Sequence, residues 1–365
     1  MANKHTFPIA KPRPDWQWLL RVLDGEVRPE RPPIFEYIAD AEIMRLVVEG
    51  MLGRAWVTPL PGDRAAMAAY LDNYIAFWYH MGYDTVRYDI ALGFPGRAVA
   101  TANTAALATR DRHWSDQHTR LIQSWDDYER FPWPDPSRAD YFPLEYLSRH
   151  LPEGMGLMVE HSCHVMELLV DAFTYEGLSL AIYDQPDLVA AVAGRITAAL
   201  AGFFRQVVDM DNVVAFCTGD DMGFRSGTFL SPADMRRYVL PSHTEISAIA
   251  HAHGKRRYLH ACGNLDAIMT DLIETVSIDG KHSFEDAIQP VEEFHRLYGN
   301  RIASLGGVDV DLLARGTEEE VRARTRQVIA ACAPLGRFAI GSGNSITNYV
   351  ALENYLAMVE EALFA

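Results

Sequence analysis

The sequence predicts an α/β fold, a (β/α)8 (TIM) barrel, because short apolar runs alternate with helical patterns along the chain. Eight runs rich in apolar and β-branched residues are each followed by a helical stretch. They cover residues 33–38, 85–90, 156–161, 213–217, 257–260, 276–280, 302–306 and 337–341. This alternation is typical of βαβ units in a parallel sheet. Eight units are what a closed barrel requires, and a doubly wound open sheet is the alternative.

The length of 365 residues suits one such barrel. We expect a single barrel domain over residues 31–365, preceded by an N-terminal extension over residues 1–30. The stretch near residues 91–155 is too long for one crossover helix, and Pro132, Pro134 and Pro136 exclude a continuous helix there. We therefore expect an insertion that covers one side of the barrel mouth.

Charge and composition exclude several classes of partner. The chain has 33 Lys and Arg against 49 Asp and Glu, a net charge of −16. Such a surface repels phosphates, which excludes nucleic acid and anionic membranes as partners. No run approaches the roughly 18 uninterrupted apolar residues expected of a membrane helix, and the N-terminus lacks an apolar signal core. We expect a cytoplasmic protein, whose four widely spaced cysteines form no disulfide framework.

Polar residues cluster where the predicted strands end, which is where α/β barrels carry their chemistry. They are Glu36, Asp89, Glu160, His161, Asp220, Asp221, His260, Cys262, His282, Asp309, Asp311, Ser342 and Asn344. Unpaired charges are costly to bury, so a purely structural strand end would not need so many of them. Asp309 and Asp311 are better explained as helix caps or solvated loop residues than as functional residues.

The most specific of these patterns is His260-Ala261-Cys262. Residues two apart on a strand face the same side, so the imidazole and the sulfur can approach one ion. Both are good zinc ligands. His282, at the end of the next strand, is the first choice for a third ligand, with Asp220, Glu160 and His161 as alternatives.

A second pattern is Asp220-Asp221 after the fourth strand. Two adjacent carboxylates there predict a general base and an orienting acceptor, or else an ordinary turn. The chain has no Gly-x-Gly-x-x-Gly after its first strand, no phosphate-binding loop and no Gly-x-Ser-x-Gly elbow. Dinucleotide, nucleotide and serine-hydrolase chemistry is therefore unsupported.

Several segments together resemble the uroporphyrinogen decarboxylase superfamily over roughly residues 30–363. They are Gly219–Gly223, Leu259–Leu265, Lys281–Asp286, Gly341–Ser345 and Val350–Val359. The resemblance implies the barrel fold. It implies one of two activities, decarboxylation of a tetrapyrrole or methyl transfer linked to a corrinoid.

The resemblance to the true decarboxylase is weakest where that enzyme holds its substrate. Its arginine-rich N-terminal segment corresponds here to a stretch without arginine between Arg31 and Arg45, where Glu36 and Asp40 would repel a polycarboxylate. Asp89 matches the central aspartate of that enzyme.

The methyltransferase branch binds zinc through a His-x-Cys pair, which His260 and Cys262 match, and a later cysteine. That third position is Ser342 here. This departure makes the chain most similar to members that demethylate methyl ethers with other ligand sets.

We therefore predict a corrinoid-dependent methyltransferase that demethylates a small methylated substrate with the help of zinc. The predicted metal ligands are His260, Cys262 and His282, and the predicted catalytic residues are Asp89, Asp220 and Asp221. Substrate-binding residues are predicted to be Glu36, Tyr37, Glu160, His161, Ser342 and Asn344. The predicted partner is a corrinoid protein, and a homodimer is left open. The alternatives are a metal-free decarboxylase that uses Asp89 and a non-catalytic barrel that binds a corrinoid or tetrapyrrole.

Overall fold

The computed structural model describes residues 7–60, 62–105, 107–109 and 111–364. Residues 1–6 of the expected N-terminal extension, and residues 106 and 110 of the expected insertion, lie outside the described part. The strands there are β1 (Thr85–Ile90), β2 (Ala98–Thr101), β3 (Arg112–Ser115), β4 (Gly156–His161), β5 (Val213–Gly219), β6 (Gly223–Phe224), β7 (Gly227–Thr228), β8 (Arg256–His260), β9 (Gly280–His282), β10 (Ala303–Leu305) and β11 (Phe338–Ala339).

Helices surround these strands. They are α1 (Trp16–Leu23), α2 (Ala41–Gly50), α3 (Arg64–His80), α4 (Trp125–Arg130), α5 (Phe142–His150), α6 (Val165–Phe173), α7 (Tyr175–Asp184), α8 (Pro186–Val207), α9 (Pro232–Asp234), α10 (Leu240–Ala252), α11 (Met269–Glu274), α12 (Val291–Tyr298), α13 (Val310–Arg315), α14 (Glu318–Cys332) and α15 (Leu352–Phe364). A π-helical turn, Met235–Val239, joins α9 to α10.

Seven strands form one parallel sheet in the order β1-β4-β5-β8-β9-β10-β11. This order follows the chain without reversal, whereas a doubly wound sheet reverses at its centre. Ile34 bridges Ile340 in parallel, directly after β11, so the first predicted strand returns to the last. The (β/α)8 barrel prediction is thereby confirmed.

Several of the predicted strands differ in extent from the prediction; the last, predicted at residues 337–341, is reduced to Phe338–Ala339. Residues 33–38 make one isolated bridge, at Ile34, rather than a regular strand, since Pro33 has no N–H to donate and offers only its carbonyl to the Ile340 N–H. The run predicted at residues 276–280 becomes a strand only at Gly280–His282.

Strand register positions the functional residues. Asp89 lies opposite Glu160, while Gly219 lies opposite His260 and His260 opposite His282. These pairs all lie at the carboxyl ends of their strands. The barrel therefore brings five neighbouring strands, β1, β4, β5, β8 and β9, together in one polar layer at its mouth.

The N-terminal segment closes the other end of the barrel. Asp15 caps α1, and the Trp16 N–H donates to the Gly154 carbonyl. Leu19 and Leu23 are buried in one cluster with residues of β4, β5, β8, β10 and β11. The apolar face of α1 thus covers the floor of the barrel.

The expected insertion contains the antiparallel β2–β3 hairpin, α4 and α5. Among the described helices, α8 is the one whose length and apolar composition would suffice to cross a membrane. It packs against α6, α7, α10 and β4, and more than half of its most apolar window is buried, as in the core helix of a barrel.

Candidate metal centre at the barrel mouth

Three potential ligands meet at the mouth of the barrel. A carboxylate oxygen of Asp221, an imidazole nitrogen of His260 and the sulfur of Cys262 all lie within 4.8 Å of one another. Cys262 Sγ is 3.5 Å from His260 Nε2, and the Cys262 N–H donates to Asp221 Oδ1 at 3.3 Å. In the part of the chain that the structure describes, this is the one group of three or more such side chains close enough to hold a metal ion.

The backbone after β8 explains why Asp221 approaches the pair. Gly263 has φ +87°, and a Cβ there would lie 2.2 Å from the Gly223 carbonyl carbon. Since glycine alone fits this contact, the turn after Cys262 packs directly on the loop that carries Asp221. The Asn264 N–H donates to the Phe224 carbonyl at 2.8 Å and holds the two loops together.

The chemistry of the donors fits a divalent ion such as zinc. Imidazole nitrogen, thiolate sulfur and carboxylate oxygen are its usual ligands. Burial and the Asp221 carboxylate raise the pKa of the Cys262 thiol to about 12, while burial and His282 hold the pKa of His260 well below its usual value. A neutral imidazole is ready to coordinate, and a bound cation would supply the positive charge that a thiolate needs.

The sulfur also has neutral hydrogen-bonding neighbours. Asn344 Nδ2 donates to Cys262 Sγ at 3.3 Å, and Ser283 Oγ lies 3.7 Å from it. Sequence reasoning predicts Asn344 as a substrate contact and misses Ser283. Its position directly after β9 is the signal that could have found it.

The structure places His282 differently from the expected third ligand. Its Nδ1 lies 2.7 Å from His260 Nδ1, and its Nε2 contacts the Ser342 carbonyl at 3.2 Å. Both ring nitrogens are therefore engaged behind His260, on the side away from Cys262. Asp221, predicted as a catalytic residue, occupies the third position instead.

Tyr37 and Glu160 support the centre from the barrel interior. The Tyr37 ring stacks on His260 with centroids 4.0 Å apart, and its hydroxyl donates to Glu160 Oε1 at 2.7 Å. The Gly219 N–H donates to the same oxygen at 2.5 Å. Both predicted substrate residues are buried and mutually bonded, so their contacts are with the protein.

Sequence reasoning misses Arg87, which neutralises this layer. Arg87 Nε donates to Glu160 Oε2 at 2.6 Å, its guanidinium lies over the Tyr37 ring, and its Nη1 reaches Asp89 Oδ1 at 3.2 Å. Burial alone would lower the pKa of Arg87, but the neighbouring Glu160 and Asp89 carboxylates hold it well above its usual value. A charged residue inside an apolar strand is the signal that could have revealed it.

Asp89 and Glu36 occupy different depths. Asp89 also accepts from Ser162 Oγ at 2.7 Å, and its side chain is 38% exposed, so it faces the mouth. Glu36 is buried, and burial raises its pKa to about 8 despite hydrogen bonds from the Ser342 hydroxyl and N–H. Glu36 and Ser342, predicted to bind substrate, contact each other below the surface.

Asp220 and His161 lie outside the cluster. The Asp220 carboxylate accepts from the Met166 and Glu167 N–H groups at the start of α6 and contacts His243 Nε2 at 2.9 Å. His161 accepts from the Leu92 N–H and contacts the Cys163 carbonyl. These contacts anchor the loop after β4, which argues for positioning roles.

A broad cleft of about 1170 Å³ opens next to the centre. Its walls include Phe284, Glu285, Asp309 and Tyr349, and Asn344 belongs both to this cleft and to the surroundings of Cys262. Asn344 thus links the Cys262 sulfur to a space large enough for a small molecule.

Fold and site together define an α/β-barrel protein whose candidate chemistry lies at the carboxyl ends of its strands. The family model described as uroporphyrinogen decarboxylase (URO-D) matches residues 145–363, and the chain belongs to this family. A methyltransferase from Methanosarcina mazei has a similar fold, with a TM-score of 0.67 over 94% of this chain and 96% of that one, at 16% identity. No curated protein sequence matches the chain.

Proposed function

We propose that this protein is a corrinoid-dependent methyltransferase that holds a zinc ion with Asp221, His260 and Cys262. The observation that carries the proposal is the convergence of these three donors at the barrel mouth. The resemblance of the sequence to the methyltransferase branch, together with the similar fold of the Methanosarcina methyltransferase, supports the same class.

When bound there, zinc would supply Lewis-acid polarisation of a substrate oxygen or sulfur. The protein's own residues orient the metal ligands and bind the substrate. Asn344 donates to the Cys262 sulfur, Tyr37 stacks on His260, and the partly exposed Asp89 is available to bind the polar end of a substrate. We propose that the substrate is a small methylated compound, that the methyl group passes to or from a corrinoid protein at the mouth, and that the protein is cytoplasmic.

Zinc content is the first test of this proposal. Purified protein is expected to bind about one zinc per chain, and Cys262→Ser or Asp221→Asn should lose most of it because three protein ligands are few. Cys332→Ser is the matched control, since Cys332 is a buried free cysteine on α14. Zinc-free wild-type protein, or equal zinc in Cys262→Ser, would contradict the site.

The second test measures methyl transfer. Zinc-loaded protein is mixed with cob(I)alamin and a panel of methyl ethers, thioethers and methylamines, and formation of methylcobalamin is followed by absorbance. Activity is expected for at least one donor and should disappear in Cys262→Ser but not in Cys332→Ser. Zinc-independent decarboxylation of a tetrapyrrole or another acid would favour the decarboxylase, and tetrapyrrole or corrinoid binding without turnover would favour a non-catalytic barrel.

A further inference from the structure

A buried chain of polar groups lies behind His260, and the proposed function gives these groups no role. It runs from Glu36 through Ser342 and His282 to His260. His282 and Ser342 are wholly inaccessible, so substrate cannot be their partner. Groups buried in this way must satisfy one another.

Hydrogen-bond chemistry determines where each proton lies. The Ser342 carbonyl can only accept, so His282 Nε2 carries a proton and donates to it. A neutral imidazole has one N–H, which leaves His282 Nδ1 as an acceptor. The proton between the two Nδ1 atoms, 2.7 Å apart, therefore belongs to His260.

The protonation state of the other ring nitrogen of His260, Nε2, follows from this. With the proton on Nδ1, Nε2 has a free lone pair, and this is the nitrogen that lies 3.5 Å from Cys262 Sγ. We propose that His282 is a positioning residue that holds His260 in the one tautomer able to bind the metal ion. The proposal rests on the metal site proposed above and not on methyl transfer.

The packing around the Ser342 carbonyl supports this role. The hydroxyl and N–H of Ser342 both donate to the Glu36 carboxyl, at 2.5 and 3.1 Å, which holds the residue in place. Gly306 has φ +87°, and a Cβ there would lie 2.1 Å from the Ser342 oxygen and 3.0 Å from His282 Nε2. A side chain at position 306 would therefore displace the carbonyl that orients His282.

Ser342 contributes its backbone to this arrangement and does not contribute a metal ligand. It occupies the position at which the resemblance implies a third zinc ligand, yet its hydroxyl points to Glu36. The chain uses the backbone of this position to orient His282, while Asp221 supplies the third donor from the other side.

The direct test is the tautomer of His260 in the wild-type protein without metal. Long-range ¹H–¹⁵N spectra of ¹⁵N-histidine-labelled protein, assigned with His260→Ala and His282→Gln, report which nitrogen is protonated. We expect His260 protonated on Nδ1 and His282 on Nε2. A His260 protonated on Nε2 would overturn the proposal, and this measurement needs no variant to bind metal.

Zinc affinity, measured by competition with a chromophoric chelator, is the second readout. His282→Leu removes the acceptor and is expected to weaken zinc binding by about 10–100-fold, as other losses of a ligand's orienting partner do. His282→Gln should stay within about 3-fold of the wild type, because its amide offers an acceptor and a donor in place of the two ring nitrogens. His295→Leu is the matched control, since His295 is buried against Ser304.

The outcomes separate this inference from the proposed function. Wild-type zinc affinity in a folded His282→Leu protein would overturn the positioning role while leaving methyl transfer intact. If zinc binds with the expected pattern but no methyl donor is used, the proposed function fails and the positioning role stands. If His282→Leu does not fold, the positioning role is still tested by the tautomer of His260 in the wild-type protein and by the zinc affinity of His282→Gln.

Discussion

At the scale of single residues, Arg87 is a buried cation inside the barrel. Its side chain and that of Glu160 are only 6% and 2% exposed, and the two are joined in an ion pair. Removing one partner of such a pair leaves an uncompensated charge in a low-dielectric surrounding. Arg87 is therefore essential to stability although it is not one of the candidate ligands.

Arg87→Met should lower the free energy of unfolding by about 3–5 kcal/mol, because Glu160 then stays buried without its cation. Urea unfolding at neutral pH measures this. Arg205→Met breaks an exposed ion pair with Glu245 and should cost below about 1 kcal/mol. Adding Glu160→Gln to Arg87→Met should recover part of the loss, and equal costs for the two single variants would contradict the buried-pair interpretation.

Individual residues also show how far sequence reasoning reaches. Strand periodicity suffices to place His260 and Cys262 on one side, because it depends on local geometry alone. The contact of His282 with His260 and the approach of Asp221 depend on ring rotation and on loop packing at Gly263. These are tertiary contacts, which a local pattern does not contain.

At the scale of elements, one carboxyl joins the start of α1 to the start of β1. Asp84 Oδ1 accepts from the Asp15 N–H at 2.7 Å, and Asp15 in turn caps α1. Burial raises the pKa of Asp84 from 3.8 to about 7. This junction should therefore respond to pH.

The direction in which stability changes with pH follows from the proton that Asp84 binds. Between about pH 4 and about pH 7 the folded protein holds the Asp84 proton more tightly than the unfolded chain, so stability from this group is lost as pH rises. Asp84→Asn keeps the acceptor and removes the titration. Urea unfolding near pH 4 and near pH 8 should show the variant gaining stability relative to the wild type at the higher pH. A constant difference at both pH values would contradict this.

At the scale of the whole molecule, the barrel was predictable because the same strand–helix unit recurs along the chain. Eight apolar runs and their helices each carry the same signal, so an error in one strand, such as the late start of β9, leaves the architecture unchanged. The role of α1 was not predictable in this way. No recurring pattern in the sequence shows what the apolar face of α1 packs against. Its partner, the floor of the barrel, exists only once the strands have closed.

The burial of α1 predicts that the N-terminal segment unfolds together with the barrel. Leu19→Ala should lower the free energy of unfolding by about 2–5 kcal/mol, because Leu19 is wholly buried against the barrel floor and its loss leaves a cavity. Arg21→Ala, on the exposed side of the same helix, should change it by less than about 0.5 kcal/mol.

Denaturant unfolding followed by tryptophan fluorescence and by circular dichroism measures both variants. One shared transition with an unchanged dependence on denaturant concentration is expected, since the same surface is exposed on unfolding. A separate early transition, with a barrel as stable as that of the wild type, would mean that residues 1–30 are an independent extension. The floor of the barrel would then have to be stable without α1, although Leu19 and Leu23 are part of its apolar cluster.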